Sequence, residues 1–255
     1  MKLAVFGATG TVGVPLVAQA LDAGHHVRVL ARTPAKVTRA DPSLTVLSGD
    51  AKDRDAVAAT ISGCDAVIST LGGFADSDSI RVGTACITAA MHDTGIRRLV
   101  VVQGFHLDFP GDPRNLGRTT ILPLLWLGSR TLIADSRAMA TQLTSSRLDW
   151  TLVRAPRITH GAPTGRARVG QLRLGPFSSV VNADVARFAL TAVNDPTTVG
   201  AAPMIANPGN HLLGAAGYWL LGRRPDPHTD RTGHPHAGPN ADRHPTATPR
   251  PGAQS

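Results

Sequence analysis

The sequence predicts an α/β fold, a Rossmann-type doubly wound parallel sheet in a single domain with a disordered C-terminal tail. Short apolar runs alternate five or six times with segments of helical periodicity, and no internal repeat interrupts this order. A glycine-rich turn stands between the first apolar run and the first helical segment, and from residue 223 onward alanine is the only aliphatic residue. The alternation and the glycine-rich turn indicate right-handed strand–helix–strand units. The scarcity of aliphatic residues from 223 onward indicates a segment that cannot build a core.

The glycine-rich turn is the strongest functional signal in the chain. It follows Lys2–Phe6, a run suited to a buried strand, and it precedes a helical pattern over 14–24. Gly7 permits a tight turn, Gly10 lets the backbone approach a pyrophosphate, and Gly13 lets the helix pack close to the strand. Because a helix N-terminus offers free N–H groups and a positive dipole end, this spacing predicts dinucleotide binding.

The remaining elements follow in alternation. The strand-like runs are rich in β-branched residues, and the helical segments repeat their apolar residues every three to four positions. Strands are predicted at 26–31, 44–47, 65–70, 98–102, 150–154 and 199–205, and helices at 53–61, 79–94, 131–146 and 182–193.

Three connecting segments have distinctive compositions. Residues 107–117 are rich in Pro, Gly and Asp and indicate a loop. Residues 161–175 form a basic, glycine-rich loop that is expected to cover the pocket. Residues 121–127 form an apolar patch too short to span a bilayer, and core packing is favoured there over a pocket wall or a subunit contact.

The end of the second predicted strand indicates which nicotinamide nucleotide is preferred. The strand closes with Ala31 and Arg32, where an NAD-preferring site usually has an acid that binds the ribose 2′-hydroxyl. A guanidinium favours a 2′-phosphate, which an acid would repel, and Lys36 can assist it. The sequence therefore predicts NADP(H) over NAD(H), and a solvated arginine at a strand end is the alternative.

Two further segments follow strands at the edge where doubly wound folds bind ligands. Asp50 comes after the third strand and is a candidate either for the adenine edge or for capping the helix at 53–61. After the fourth strand, Leu71, Gly72 and Gly73 form a small-residue loop that lets a cofactor pass close to the backbone. Both segments extend the predicted nucleotide site beyond the glycine turn.

Composition excludes several classes of function. The formal charge of +8 comes from scattered arginines with few aromatic residues, so no nucleic-acid partner is predicted. No apolar run reaches the roughly 18–20 residues of a membrane span, and the two cysteines lack ligand spacing, so neither a membrane nor a metal site is expected. A small-molecule substrate and a reduced, cytoplasmic location fit best, and the oligomeric state stays open.

The chain divides by composition into three parts. Residues 1–206 form the predicted NAD(P)-binding Rossmann domain, and 207–222 form a marginal apolar helix or a linker. Residues 223–255 form a tail rich in Pro, His and Arg that is predicted to be disordered, because it cannot bury enough surface to offset its ordering entropy. His234-Pro235-His236 lies in that tail without a fixed geometry, so no metal site is predicted there.

Several of these segments together resemble the atypical short-chain dehydrogenases. The nearest branch is the NmrA-like NAD(P)H-binding proteins, which include the flavin/biliverdin reductases. The general resemblance rests on residues 7–13, 29–32, 49–50 and 65–68, and the branch on 148–156 and 182–186. The resemblance covers residues 1–206 and leaves the tail unmatched.

The resemblance implies a Rossmann fold with NADP bound along the glycine loop and the neighbouring strand ends. The residues implied to bind it are Gly7, Thr9, Gly10, Thr11, Val12, Gly13, Arg32, Asp50, Thr70, Leu71 and Gly72. Related enzymes transfer a proton with a Tyr-x-x-x-Lys pair. On the corresponding helix this chain reads Asp135-Ser136-Arg137-Ala138-Met139, and Gln103-Gly104 replaces the usual serine after the fifth strand, so that acid–base machinery is absent.

Two functions therefore remain open. The first is an NADPH-dependent reductase of the flavin/biliverdin type, in which a positioned flat acceptor takes a hydride and solvent supplies the proton. Its candidate catalytic residues are Gln103, to orient the carboxamide or the acceptor, and His106 or Arg137, to neutralise charge. The second is a redox sensor that binds NADP(H) without turnover, and isomerase or epimerase chemistry is a weaker third alternative.

Overall fold

The computed structural model describes residues 1–72, 78–115, 119–120, 123 and 130–208, all within one compact unit. Strands and helices alternate through most of this unit. The strands are β1 (Lys2–Phe6), β2 (His26–Ala31), β3 (Leu44–Ser48), β4 (Ala66–Ser69), β5 (Arg98–Gly104), β6 (Asp149–Ala155), β7 (Arg157–Thr159), β8 (Arg168–Gly170), β9 (Ser179–Val181) and β10 (Met204–Ala206). The helices are α1 (Gly13–Asp22), α2 (Arg54–Ile61), α3 (Asp78–Thr94), α4 (Arg130–Ser145) and α5 (Asn182–Val193).

An eight-stranded sheet in the order β3-β2-β1-β4-β5-β6-β10-β8 forms the centre of the unit. Its strands run parallel, except for β8, which pairs antiparallel with β10. The strand order reverses between β1 and β4, and ligands of doubly wound folds bind outside the carboxyl ends of the strands at such a point. The predicted Rossmann-type fold is confirmed.

The sheet is covered on both faces, which explains its nearly continuous apolar strands. On one face, α1 and α5 pack against alternate strand residues such as Val5 and Val100. On the other face, α2, α3 and α4 pack against the intervening residues, including Phe6 and Leu99. The inner strands β1, β4, β5 and β6 therefore have both rows of side chains in a core, whereas the edge strands β3 and β8 are partly exposed.

The structure differs from the sequence prediction mainly in short strands. β5 continues through Gln103 and Gly104, beyond the predicted end at residue 102. The predicted loop at 161–175 contains β8, and the last strand is shorter than the 199–205 that was predicted. The two-stranded sheet of β7 and β9 was not predicted, because three-residue strands show too few alternations to be recognised.

Some predictions fall on residues that the structure does not describe. These are Gly73, the last two residues of the predicted loop at 107–117, the apolar patch at 121–127 apart from Pro123, the linker or helix at 209–222, and the tail at 223–255. None of the helices in the described ranges combines the length with the apolar content that a membrane crossing requires.

Candidate functional site

Two positions in the turn after β1 require glycine, each for a different steric reason. Gly7 has φ +79°, a conformation that disfavours side chains, and a Cβ there would lie 2.7 Å from Thr70 Oγ1. A Cβ at Gly13 would overlap the carbonyl oxygen of Gly7, so only glycine lets α1 begin this close to the strand. Gly10 donates its N–H to Gly7 O at 2.9 Å, which closes the turn.

The first turn of α1 leaves backbone donors open. The N–H groups of Thr11, Val12 and Gly13 have no backbone acceptor in the described part of the chain, and Val12 at the N-cap makes no side-chain cap bond. Unsatisfied N–H groups and the helix dipole both favour an anion at this place. The turn therefore fits a pyrophosphate, which would be held by main-chain donors.

A cleft opens at the carboxyl ends of β1, β2, β3 and β4. It holds most of the residues that the sequence predicted to bind the cofactor, although Thr11 is exposed outside it and Val12 and Gly13 are buried in the helix start. The predicted residues that line it are Gly7, Thr9, Gly10, Arg32, Asp50, Thr70, Leu71 and Gly72, and the lining residues that were not predicted are Phe6, Leu30, Ala31, Gly49, Ala51 and Ser79.

The two charged residues of the cleft come from neighbouring strand ends. Arg32 is exposed directly after β2, and Asp50 follows β3. Asp50 accepts a hydrogen bond from Lys52 N at 2.9 Å, whereas Asp53 caps α2 by accepting from Asp55 N and Ala56 N. The alternative that Asp50 caps this helix is therefore wrong, because its carboxylate closes the preceding turn instead.

Thr70 connects the two sides of the cleft. Its hydroxyl Oγ1 lies 3.0 Å from Phe6 O and 3.1 Å from Gly7 O, and it donates to these carbonyls. The end of β4 is thereby fixed to the glycine turn, and the backbone of Leu71 and Gly72 is held at the rim. The small size of Gly72 leaves open space, since nothing lies within 4 Å of a Cβ built there.

Two of the three candidate catalytic residues, Gln103 and His106, stand at the carboxyl end of β5. Gln103 is 9% exposed; its Oε1 accepts from Gly104 N at 3.0 Å, and its Nε2 has no partner in the described residues. The ring of His106 packs onto Gly104 so closely that a Cβ there would overlap it, and His106 Nε2 is likewise buried without a partner within the same ranges. Of the seven buried side-chain atoms without a partner in the described residues, these two lie beside one strand end, where a ligand would satisfy both.

His106 is uncharged near neutral pH. Burial, followed by repulsion from Arg137, lowers the pKa of His106 from 6.5 to about 4. Between the two residues predicted to neutralise an acceptor, the lowered pKa of His106 favours Arg137. Arg137, exposed on α4, keeps the positive charge.

Sequence reasoning missed a polar cluster that connects α5 to the glycine turn. Asn182 Nδ2 donates to Thr11 O at 2.9 Å, and Asn182 Oδ1 accepts from Gly161 N at 3.2 Å. Asp184 Oδ2 accepts a hydrogen bond from Thr164 Oγ1 at 2.5 Å and another from Asn207 Nδ2 at 2.7 Å. Burial alone would raise the pKa of Asp184, but these hydrogen bonds bring it below the ordinary value.

This cluster also decides the position of the 161–175 segment. The bonds at Asn182 and Asp184 fix the start of the segment to α5, and none of its residues lines the cleft at β1–β4. The segment therefore does not line the nucleotide cleft, and its expected position over the substrate pocket stays a prediction. The two anchoring residues were visible in the sequence only as polar positions in an otherwise apolar helix start.

A second missed feature is a buried ion pair behind the loop that contains His106. Arg154 of β6 is fully buried and binds both carboxylate oxygens of Asp112, at 2.5 and 2.7 Å. It also donates to Leu107 O at 2.9 Å and, through Nε, to Ala202 O at 2.9 Å. The pair therefore holds the 107–112 loop against β6.

In the described ranges, no group of three or more His, Cys, Asp or Glu side chains could hold a metal.

Comparison with known proteins agrees with this arrangement. A sequence model of the NAD(P)H-binding family matches residues 7–196. Among solved structures, ChuY, an anaerobillin reductase from Escherichia coli O157:H7, has a TM-score of 0.66 and 23% identity, over 82% of this chain and 98% of that one. That level of identity shows the shared fold alone, whereas the family model confirms the predicted NAD(P)H-binding domain.

Curated relatives match over a shorter range. A 3 beta-hydroxysteroid dehydrogenase/Delta 5-->4-isomerase from Mycobacterium tuberculosis is 35% identical over 113 residues, which are 39% of this chain and 30% of the relative. A 3-diazoavenalumate denitrifying reductase from a Streptomyces species is 34% identical over 114 residues, 39% of this chain and 36% of the relative. The chain thus spans about a third of the length of the curated relatives it matches.

Proposed function

The chain belongs to the NAD(P)H-binding family, and from this premise we propose that it is an NADPH-dependent reductase of a small, flat acceptor such as a flavin or a quinone. The observation that supports this most strongly is the pair of buried, unpartnered Nε2 atoms of Gln103 and His106 at the carboxyl end of β5. Such atoms are costly to leave unsatisfied, and a bound carboxamide or acceptor carbonyl would satisfy them.

The proposed reaction needs no Tyr-Lys pair. Bound NADPH supplies the hydride, and the acceptor takes its proton from solvent. Gln103 orients the carboxamide or the acceptor through its free amide, while the neutral imidazole of His106 supplies a hydrogen bond. Arg137, on the helix that would contain the missing tyrosine, supplies the positive charge near this site. Positioning is therefore the main contribution of these residues.

The preference for NADPH over NADH rests on Arg32. Its exposed side chain lines the cleft at the end of β2, where no acid stands in the sequence from Ala31 to Ala40. We expect Arg32→Ala to weaken NADPH binding by about tenfold or more and NADH binding by much less, because a charge-assisted bond to the 2′-phosphate is lost. Arg54→Ala, which changes an exposed arginine outside the cleft, is the matched control.

A reductase activity is supported by what two relatives are called. ChuY is described as an anaerobillin reductase and the Streptomyces protein as a 3-diazoavenalumate denitrifying reductase. Both names describe reductases, which fits a small-molecule substrate for this chain.

Both cysteines, Cys64 and Cys86, are buried and free, and this supports a reducing, cytoplasmic location.

A direct test measures NADPH oxidation with a panel of flavins and quinones. We expect turnover with at least one acceptor, and a large loss of kcat in Gln103→Ala while NADPH affinity is kept. The second candidate, a redox sensor, is favoured by the sequence Asp135-Ser136-Arg137-Ala138-Met139, which lacks the catalytic tyrosine and lysine. Tight NADPH binding without turnover for any acceptor would replace the reductase with the sensor.

A further inference from the structure

The side-chain amide of Asn182 is held in one orientation. Its Oδ1 accepts hydrogen bonds from Ala183 N at 2.9 Å and from Gly161 N at 3.2 Å, and its Nδ2 donates to Thr11 O at 2.9 Å. Exchanging the oxygen and the nitrogen would point the NH2 group at two N–H donors and the oxygen at a carbonyl, so all three bonds would be lost. The N–H of Gly161 therefore helps to keep Asn182 Nδ2 directed at the glycine turn.

The same stretch of chain is docked a second time, by Asp184. The carboxylate accepts hydrogen bonds from Thr164 N at 2.8 Å, from Thr164 Oγ1 at 2.5 Å and from Gly165 N at 3.2 Å. A fourth bond comes from Asn207 Nδ2 at 2.7 Å. Asp184 is 3% exposed and forms no ion pair within the part of the chain that the structure describes, so these hydrogen bonds have to compensate its desolvation. They dock residues 161–165, the docking segment, onto the start of α5.

The bond to Thr11 fixes a donor as well as an acceptor. The carbonyl of Thr11 and the N–H of Val12 belong to one peptide group, which is planar and nearly always trans, so the two groups point in opposite directions. Asn182 Nδ2, by holding Thr11 O, therefore fixes the direction of the Val12 N–H. That N–H has no backbone acceptor in the described part of the chain and is one of the donors available to a phosphate.

The docking segment is connected to the nucleotide cleft without lining it. None of its residues lines the cleft at the ends of β1 to β4. Asn182 bonds both to the segment, at Gly161, and to the glycine turn, at Thr11. An effect of the segment on the phosphate-binding donors would therefore pass through this amide.

We propose that Thr164 and Asp184 are positioning residues for the nucleotide. They dock the segment, the docked Gly161 orients the amide of Asn182, and this amide fixes the phosphate-binding turn. Because coupling between two sites is reciprocal, a bound nucleotide also stabilises the docked segment. The inference rests on the nucleotide-binding part of the proposed function and does not depend on the acceptor.

Affinity for NADPH, measured by isothermal titration, tests the effect of the segment on the nucleotide. Thr164→Val replaces the hydroxyl that donates to Asp184 by a methyl group, and we expect it to weaken NADPH binding about threefold. Thr164→Ser keeps the hydroxyl and should restore the affinity. Thr191→Val is the matched control, because Thr191 is exposed on the same helix and donates within that helix, to Arg187 O at 2.9 Å.

A double-mutant cycle shows whether Thr164 acts through Asn182. In an Asn182→Ala background, Thr164→Val should cause no further loss of NADPH affinity, since the connection is already broken. Multiplied losses in the double variant would overturn this route, and so would wild-type affinity in both Thr164→Val and Asp184→Asn. A substitution that lowered only the free energy of unfolding would leave the Kd of the folded protein unchanged, so thermal unfolding of each variant separates the two effects.

Hydrogen exchange of the docking segment tests the reciprocal effect. Three of its amides donate to side chains of α5, and their exchange with deuterium reports whether the segment is docked. These amides are those of Gly161, Thr164 and Gly165. Saturating NADP⁺ should slow their exchange about threefold in the wild-type protein and leave it unchanged in Asn182→Ala. Equal slowing in both proteins would mean general stabilisation, and no slowing in the wild-type protein would mean no coupling; either result overturns the inference.

The outcomes separate this inference from the reductase proposal. If nucleotide binding shows the coupling but no flavin or quinone is reduced, the positioning role stands and the reductase proposal fails. If an acceptor is reduced and Thr164→Val keeps the wild-type affinity for NADPH, the reductase stands and the positioning role fails. A wild-type protein that binds no NADPH would overturn both.

Discussion

Asn182 and Thr11 are 171 positions apart in the chain, and Asn182 Nδ2 donates to Thr11 O at 2.9 Å. The bond joins the start of α5 to the glycine turn that precedes α1. It holds the carbonyl of Thr11 against α5. A side chain far away in the sequence thereby helps to fix the turn whose free N–H groups would bind phosphates.

Asn182→Ala is expected to weaken NADPH binding by about three- to tenfold, because the glycine turn loses one fixed carbonyl. Isothermal titration with NADPH measures the effect. Gln19→Ala is the matched control, since Gln19 Nε2 also joins α1 to the start of α5, through Ala183 O at 3.0 Å, but does not contact the glycine turn. Equal losses of NADPH affinity in both variants would show that Asn182 acts only on stability.

Gly13→Ala is expected to prevent a native fold or to destabilise it by several kcal/mol, because the new methyl group overlaps backbone at Gly7 and Ala8. Chemical denaturation measures this loss. Gly72→Ala introduces the same methyl group where nothing lies within 4 Å, so its free energy of unfolding should stay close to the wild-type value. A stable, fully folded Gly13→Ala protein would contradict the close approach of α1 to the first strand.

Asp112→Asn is expected to destabilise the protein by about 3 kcal/mol or more, because it leaves the buried Arg154 guanidinium without its counter-charge. The comparison is Asp149→Asn, which breaks the exposed pair with Arg97 and should change stability little. Urea unfolding of both variants gives the two values. If both substitutions had the same small effect, Asp112 would not be the partner that balances Arg154.

His106 should make the protein less stable in acid. Its pKa falls from 6.5 to about 4 on folding, so between these values the unfolded chain binds a proton that the folded one does not. The free energy of unfolding is therefore unaffected by His106 above pH 6.5. It decreases as the pH falls from 6.5 through 4, by about 3 kcal/mol in total.

The measurement for His106 is the free energy of unfolding between pH 7 and pH 4 in the wild-type protein and in His106→Asn. The variant should lose a distinct part of the acid dependence, whereas His160→Asn, which changes an exposed histidine, should keep it. A wild-type slope that is unchanged in His106→Asn would mean that the imidazole is protonated equally in both states.

The sequence was most informative where structure depends on neighbouring residues. β1, β2 and α5 were predicted with correct or nearly correct bounds, since hydrophobic periodicity and glycine stops act over a few residues. The cleft residues at the ends of β1 to β4 also followed, because parallel strands align their carboxyl ends. Asp50 and Asp53 both had the composition of a helix cap, and only the geometry of the turn distinguishes them.

Features that depend on distant contacts could not be predicted. Nothing near Asn182 indicates Thr11, and nothing near Arg154 indicates Asp112, which lies 42 positions away. The charge state of His106 follows from burial, which its local sequence of turn residues does not indicate. Short strands such as β7 and β9 form because they pair with each other. A run of three residues has too few alternations for the sequence to indicate a strand.

Arg154 has a consequence for the order in which the chain folds. Its guanidinium is satisfied by oxygens from two separate stretches, the 107–112 loop and Ala202 just before β10. Neither stretch can satisfy it alone, so the loop and the last parallel strand have to dock together. β1 pairs with β2 across 24 positions, from Lys2 to His26, and β2 pairs with β3 across 17 positions, from Val27 to Leu44, so these three strands can assemble sooner. The β1–β3 part of the sheet is thus expected to form while the part around Arg154 is still assembling.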